Sequence, residues 1–177
     1  MHSRSMLAAV LAVAIAACKP QVQTGSPMPS GHATLHNAQG AVVGTLNLAP
    51  SATGIHFTGT LNGLPAGTHG IHLHAVGRCD GADFSSAGGH YNPAAAHHGL
   101  ENPAGPHAGD FPNIVVGSDG SASVDLTNPR VTLDPNPASG LFDPDGTAIV
   151  VHAGADDQKT DPSGSSGARI ACGVIER

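Results

Sequence analysis

The chain has few charged and few aromatic residues. Only 11% of its 177 residues are charged, with 13 acidic against 7 basic side chains, and aromatic residues make up 3% with no tryptophan. So few lysines and arginines exclude the basic surface that holds nucleic acid. The core must therefore be built from valine, isoleucine, leucine and alanine. No stretch has an amphipathic helical period, and with 24 glycines and 14 prolines the composition predicts one all-β domain with many turns.

The N-terminal segment is predicted to be an export signal. The apolar run Met6–Ala17 is too short to span a bilayer but suits the apolar region of a secretory signal peptide, so we interpret residues 1–17 as that signal. The run ends in Ile-Ala-Ala-Cys18, which resembles the bacterial lipoprotein box. On that interpretation Cys18 is lipidated and residues 18–30 form a flexible tether. The alternative is an ordinary signal peptide cut after Ala16, which leaves Cys18 free.

Short strand patterns separated by turn signals begin at Gly31, and residues 31–177 are predicted to form the folded domain. Eight strands are predicted, at Ala33–Ala38, Ala41–Leu48, Gly54–Leu61, Gly70–Val76, Asn113–Val116, Ala122–Thr127, Thr147–His152 and Ala168–Ile175. Within the fourth, Ile71 and Leu73 alternate with His72 and His74, so both histidines should lie on the outer face of a barrel or sandwich. Their Cα atoms would be about 6.6 Å apart, close enough for two imidazoles to converge on one ion. Asp119-Gly120 predicts a hairpin turn.

The segment from Gly77 to Phe111 has no strand pattern and holds four potential metal ligands: His90, His98, His107 and Asp110. So long an irregular stretch in a compact domain is usually functional or disordered. Imidazole is the commonest metal-binding side chain, and a set of histidines and an aspartate without thiolates suits copper and zinc rather than a zinc finger.

Several motifs resemble the signature of copper/zinc superoxide dismutases, in particular the bacterial exported lipoprotein type. They are Gly67-Thr-His69-Gly70-Ile-His72-Leu-His74, Gly89-His90-Tyr-Asn92-Pro93, His98-Gly99, Gly105-Pro-His107-Ala-Gly109-Asp110, Gly146-Thr-Ala-Ile-Val-Val-His152, Ala155-Asp156-Asp157 and Gly167-Ala-Arg169-Ile-Ala-Cys172-Gly173-Val174. The resemblance covers about Gly31 to Ile175. It implies an all-β fold, an eight-stranded Greek-key flattened barrel or immunoglobulin-like sandwich with long metal-binding loops.

The resemblance also implies a role for each site residue and one copper and one zinc per subunit. Copper would be held by His72, His74, His90 and His152, and zinc by His90, His98, His107 and Asp110, so that His90 bridges the two metals. Asp156 would accept hydrogen bonds from His72 and His98, and Arg169 would attract superoxide beside the copper. Cys79 and Cys172 would form a disulfide, and His69 would make structural hydrogen bonds rather than bind metal.

The implied reaction is disproportionation of superoxide to dioxygen and hydrogen peroxide by a copper centre that cycles between Cu(II) and Cu(I), with His90 taking up a proton. Two alternatives stay open: a non-catalytic metal-binding relative and a structural β-sandwich module. The loops resemble those of bacterial members, so the protein could be a homodimer of bacterial type or a monomer. It would be exported to the cell envelope or periplasm and would touch a membrane only through the lipid on Cys18.

Overall fold

The computed structural model describes residues 30–134 and 138–177, and in these ranges the chain forms nine β-strands and a 3-10 turn at Ser85–Ala87. The predicted signal peptide, Cys18 and the predicted tether before Ser30 lie outside the described residues. Within the described ranges no helix is long and apolar enough to cross a membrane. The strands are β1 (Gly31–Asn37), β2 (Val42–Ser51), β3 (Gly54–Leu61), β4 (Gly67–His69), β5 (Ile71–His74), β6 (Ile114–Val116), β7 (Ala122–Asn128), β8 (Ala148–His152) and β9 (Arg169–Glu176).

The strands form two antiparallel sheets. Seven of them pair in the order β5-β8-β9-β1-β2-β3-β7, and β4 pairs with β6 in a separate two-stranded sheet. Because β4 leads into β5 and β6 leads into β7, the small sheet connects the two edge strands of the large one. Neighbours such as β9 and β1 are distant in sequence, so the chain crosses over as Greek-key folds do. The predicted all-β class is confirmed.

Two local predictions differ from the structure. The residues just before β5 form an additional strand, β4. Thr68 and its neighbours pair with β6, whereas β5 pairs with β8. The structure therefore has nine strands in the described ranges, where eight were predicted. A turn forms at Asp119-Gly120, where the Gly117 amide donates to the Ser121 carbonyl. However, the two strands that it connects belong to different sheets and do not form a hairpin ladder.

The core lies inside the curled sheet and follows the alternation of the sequence. In β1, Ala33 and Leu35 are fully buried while His36 is exposed. Phe57 of β3 packs edge to face against Phe111, with ring centroids 5.0 Å apart. Such a pair is worth about 0.5–1.5 kcal/mol beyond the apolar area it buries. Phe111 directly follows Asp110, so this contact attaches one of the predicted metal ligands to the core.

Both faces of β5 are buried, which differs from an ordinary outer strand. Ile71 and Leu73 face the core, while His72 and His74, on the other side, are 0% and 1% exposed. They are covered by two irregular segments, the long loop (residues 75–113) and the second loop (residues 153–168). The long loop is attached to β5 on the main chain of Leu73, whose amide donates to Gly109 and whose carbonyl accepts from Tyr91. The loops therefore close over the histidines and bring their own polar side chains with them.

Candidate metal centre

Four histidines converge outside the edge formed by β5 and β8. One ring nitrogen from each of His72, His74, His90 and His152 lies within 4.8 Å of the others. The strand pairing brings the first two together with the last one, because the His152 amide donates to the Gly70 carbonyl just before β5. The long loop contributes His90, whose ring centroid is 4.0 Å from that of His72. We call this set the four-histidine cluster.

Each strand histidine of this cluster uses one ring nitrogen for an anchor and leaves the other for the centre. Nε2 of His72 is 2.7 Å from Asp156 Oδ2, Nδ1 of His74 is 2.9 Å from the Gly88 carbonyl, and Nδ1 of His152 is 3.1 Å from the Gly167 carbonyl. A nitrogen that donates to an oxygen acceptor leaves the opposite nitrogen deprotonated in the neutral ring. The remaining nitrogens therefore present lone pairs to a shared point.

A second cluster, the three-histidine–aspartate cluster, consists of His90, His98, His107 and Asp110. Asp110 Oδ1 is 3.1 Å from Nδ1 of His90, 3.1 Å from Nδ1 of His98 and 3.5 Å from Nδ1 of His107. The other carboxylate oxygen, Oδ2, accepts hydrogen bonds from the amides of Gly99 and His107. The carboxylate is thus fixed by the loop backbone, with one oxygen turned toward three imidazoles.

His90 belongs to both clusters. Its Nδ1 faces Asp110, while its Nε2 is buried and has no hydrogen-bond partner. The Nδ1 atom of His72 is also buried without a hydrogen-bond partner. A buried polar atom without a partner costs about 1–3 kcal/mol. Both of these atoms belong to ligand candidates of the four-histidine cluster, so a metal ion bound there would satisfy them.

The donor sets suit two different ions. An all-imidazole set is suited to copper or zinc, and three imidazoles with one carboxylate make a closed four-ligand set of the kind that holds structural zinc. Neither cluster contains a thiolate, since the two cysteines among the described residues are bonded to each other.

Asp156 hydrogen-bonds to one histidine of each cluster. Its Oδ2 is 2.7 Å from His72 Nε2 and its Oδ1 is 3.0 Å from His98 Nε2. The main chain of Asp156 makes two hydrogen bonds with the Asn113 side chain. The Asp156 amide donates to Asn113 Oδ1, and Asn113 Nδ2 donates to the Asp156 carbonyl. Gly164 packs directly against the carboxylate, where a Cβ atom would collide with Oδ1, and its φ of +61° also favours glycine. One buried carboxylate therefore orients a ligand of each cluster.

The electrostatics differ between the clusters. Burial lowers the pKa of His72 to about 3 and that of His152 to about 4, so both rings are neutral at physiological pH. Burial alone would also lower the pKa of His98, but the carboxylates of Asp110 and Asp156 outweigh it and raise that pKa to about 9. Burial would raise the pKa of Asp110, yet hydrogen bonds from His90 and His98 hold it well below its usual range. Metal-free protein thus holds a proton on His98, whereas the rings of His72 and His152 are neutral.

Arg169 lines a pocket together with His74, His90 and His152. Its guanidinium donates through Nη1 to the Phe84 carbonyl and through Nη2 to the Gly88 carbonyl, each at 2.6 Å. The arginine is partly exposed, so it offers a fixed positive charge to an anion that enters the pocket. Lys159 is held elsewhere, because its ammonium is 2.8 Å from Glu101 Oε2.

The predicted disulfide between Cys79 and Cys172 is confirmed, with Cα atoms 5.7 Å apart and a sequence separation of 93. It bonds the long loop to β9. Because Gly88 in that loop accepts from both Arg169 and His74, the disulfide also braces the segment that orients these two side chains.

The other histidines lie apart from the two clusters. His69 is buried with its ring nitrogens 2.8 Å from the His152 carbonyl and 2.9 Å from the Pro65 carbonyl, as expected of a structural residue. His56 pairs with Asp125, and His32 lies 3.8 Å from Glu176. His97 is exposed, with its Nδ1 2.6 Å from Asp161 Oδ2.

Several residues that support the centre were not predicted from the sequence. Besides Asn113 and Gly164, Asp161 accepts from the His98 amide, and Arg130 donates to the carbonyls of His107 and Asp110. Most of these contacts join residues that are 20 to 63 positions apart, so no local motif reveals them. The one available signal was the position of Asn113, three residues after the Asp110 ligand candidate.

Comparison with known proteins agrees with this geometry. Residues 42–175 match the family described as copper/zinc superoxide dismutase (SODC). The chain is 44% identical over 146 residues to superoxide dismutase [Cu-Zn] 1 of Aquifex aeolicus, covering 82% of this chain and 86% of that one. It is 42% identical over 151 residues to superoxide dismutase [Cu-Zn] of Caulobacter vibrioides, covering 83% and 86%. The crystal structure of a superoxide dismutase-like protein from Bacillus subtilis superposes with a TM-score of 0.78 at 41% identity, covering 81% of this chain and 96% of that one. The chain belongs to the copper/zinc superoxide dismutase family.

Proposed function

We propose that this protein disproportionates superoxide to dioxygen and hydrogen peroxide, with copper in the four-histidine cluster and zinc in the three-histidine–aspartate cluster. The observation that carries the proposal is His90, whose Nδ1 faces Asp110 and whose partnerless Nε2 faces the other cluster. Copper bound there would supply a Cu(II)/Cu(I) couple that accepts one electron and returns it, and zinc would supply a fixed positive charge.

Arg169 binds and orients the substrate in this mechanism. Superoxide is a small anion, and a guanidinium beside a narrow pocket raises its local concentration and its rate of arrival. The two carbonyl acceptors at Phe84 and Gly88 hold the guanidinium plane in place. Among the described residues, Arg169 is the one basic side chain of arginine or lysine type that lines this pocket. Lys159 is paired with Glu101 instead.

His90 supplies one of the two protons that hydrogen peroxide needs in this mechanism, and solvent supplies the other. Its Nε2 faces the four-histidine cluster and the pocket that opens above it. When no metal occupies this lone pair, the atom can hold a proton beside the bound substrate and then deliver it to the reduced product. The contact of Nδ1 with Asp110 keeps the ring in place during this exchange.

The three-histidine–aspartate cluster has a structural role in this proposal. His98 and Asp110 are fully buried and His107 is nearly so, which leaves no open position for substrate. A four-ligand set of this kind holds a loop in a single conformation. Here that loop carries His90, so the order of the second cluster determines the position of the bridging ring.

We further propose that the protein is exported and anchored by a lipid on Cys18 after removal of residues 1–17, with residues 31–177 as the catalytic domain. The disulfide supports an oxidising compartment, where such bonds persist. Growth with a labelled fatty acid tests the anchor: label should enter the wild-type protein and be absent from a Cys18→Ser variant. Label in neither protein would favour the alternative, an ordinary signal peptide cut after Ala16.

The test of the activity is superoxide dismutation by the purified, disulfide-oxidised chain loaded with copper and zinc. A His152→Ala variant removes one ligand of the four-histidine cluster, and His36→Ala, which changes an exposed histidine of β1, is its matched control. Rapid copper-dependent turnover that is lost in the first variant and kept in the second supports the proposal. Stoichiometric copper binding without turnover would instead establish a metal-binding relative of the enzymes.

A further inference from the structure

The turn that carries His107 and Asp110 is held by two side chains that come from the end of β7 and the residues after it. Arg130 donates through Nε to the His107 carbonyl at 3.2 Å and through Nη2 to the Asp110 carbonyl. Asn128 donates through Nδ2 to the Ala108 carbonyl at 2.8 Å. Three of the four carbonyl groups in residues 107–110 therefore accept hydrogen bonds from these two side chains.

The shape of this turn determines whether two ligands meet. His107 Nδ1 and Asp110 Oδ1 are 3.5 Å apart, and Asp110 Oδ2 also accepts from the His107 amide. Both ligand atoms extend from the same four-residue segment. A change in the direction of either carbonyl rotates its peptide plane and moves the adjoining side chain away from the common point.

The two supporting side chains are themselves fixed to the sheet. Asn128 is fully buried at the end of β7, where it pairs in register with Ile55 of β3, and its Oδ1 accepts from the Arg130 amide at 2.9 Å. The half-buried guanidinium is a planar fork whose donors have fixed directions. The contacts thus form a direct connection from the large sheet to the ligand turn.

We propose that Arg130 is a positioning residue for the zinc site, acting through the two carbonyl contacts of its guanidinium. The inference rests on the assignment of zinc to the three-histidine–aspartate cluster made above. The guanidinium of Arg130 donates to the main-chain carbonyls of two ligand residues rather than to their ligand atoms. Its positive charge also lies near Asp110. The positive charge of Arg130 would repel a zinc ion in the cluster. Any increase in zinc affinity that Arg130 causes must therefore come from its hydrogen bonds to the two carbonyls.

Two substitutions separate geometry from charge. Arg130→Lys keeps the charge and the aliphatic stem but loses the fork, and Arg130→Met loses both. Arg78→Lys and Arg78→Met are the matched controls, because Arg78 is exposed and its guanidinium bonds only to Asp80 among the described residues. Zinc affinity is measured on the full, disulfide-oxidised chain by competition with a chelator, and copper affinity is measured separately. Cobalt bound in place of zinc reports ligand geometry through its visible absorption spectrum.

We expect both Arg130 variants to bind zinc about 10- to 100-fold more weakly, as substitutions of residues behind metal ligands commonly do, and to change the cobalt spectrum. Copper affinity should fall less than zinc affinity, since only His90 is shared between the clusters, and both Arg78 variants should stay close to wild type. Wild-type zinc affinity in both Arg130 variants, or in Arg130→Lys alone, would overturn the role of the fork. If Arg130→Met does not fold, Arg130→Lys decides the question by itself. Wild-type protein that binds no zinc would overturn the zinc assignment instead, and this inference with it.

Discussion

Substitution of Asp156 by asparagine should weaken the binding of both metals. The carboxylate accepts from His72 at Oδ2, and from His98 and the Gln158 amide at Oδ1. Asparagine has the same shape but only one acceptor oxygen, so its NH2 group must face a donor on one side. The side that loses its acceptor keeps a buried, unsatisfied imidazole N–H.

The size of the effect follows from two independent estimates. Leaving a buried donor without a partner costs about 1–3 kcal/mol. Loss of a hydrogen-bond partner behind a metal ligand typically lowers metal affinity about 10- to 100-fold, and each tenfold step is about 1.4 kcal/mol. The two ranges overlap. We therefore expect metal affinity to fall by about 100-fold at the site whose histidine, His72 or His98, faces the NH2 group, and by less at the other site.

The assay is chelator competition for copper and zinc on the disulfide-oxidised protein, with Asp157→Asn as control. Asp157 is the neighbouring residue and also a carboxylate, but it is exposed, and its hydrogen bonds come from the amides of Lys159 and Thr160 and from the Thr160 side chain. Asp156→Asn protein that binds both metals as tightly as Asp157→Asn protein would refute the argument that one buried carboxylate orients both sites.

Three further predictions follow from the same geometry. Arg169→Met should lower kcat/KM for superoxide by about tenfold or more and flatten its dependence on salt, whereas Arg169→Lys should lose less; stopped-flow rates at several ionic strengths decide this. Reduction of the Cys79–Cys172 disulfide removes a cross-link between residues 93 positions apart. It should lower the free energy of unfolding of the metal-free protein by at most about 4–5 kcal/mol, as measured by urea unfolding with and without reductant. Zinc affinity should rise by about tenfold per pH unit as pH increases toward 9, because zinc displaces the proton that His98 holds below its raised pKa of about 9. His72 and His152, with pKa values lowered to about 3 and about 4, should add no pH dependence to copper binding above about pH 5. Zinc binding that does not depend on pH in a titration would contradict the protonation of His98.

The strands and the core could be predicted because they depend on local alternation. Ile71 and Leu73 alternate with two histidines, and the buried positions of β1 and β3 follow the same period of two. β4 was not predicted, since its three residues, Gly67–His69, are too few to show an alternating pattern and are defined as a strand by their pairing with β6. Only the partners, β6 and β8, distinguish β4 from β5.

The sequence by itself determined the kinds of ligand, their order along the chain and the family to which the motifs belong, because these are properties of residue type and spacing. The tertiary structure decided which nitrogen of His90 faces which cluster, and which carboxylate stands behind His72 and His98. It also decided that Asn113, Gly164 and Arg130 support the site. These contacts join residues that lie far apart in sequence, and the hydrogen-bonding direction of a side chain is set only when its distant partner is in place.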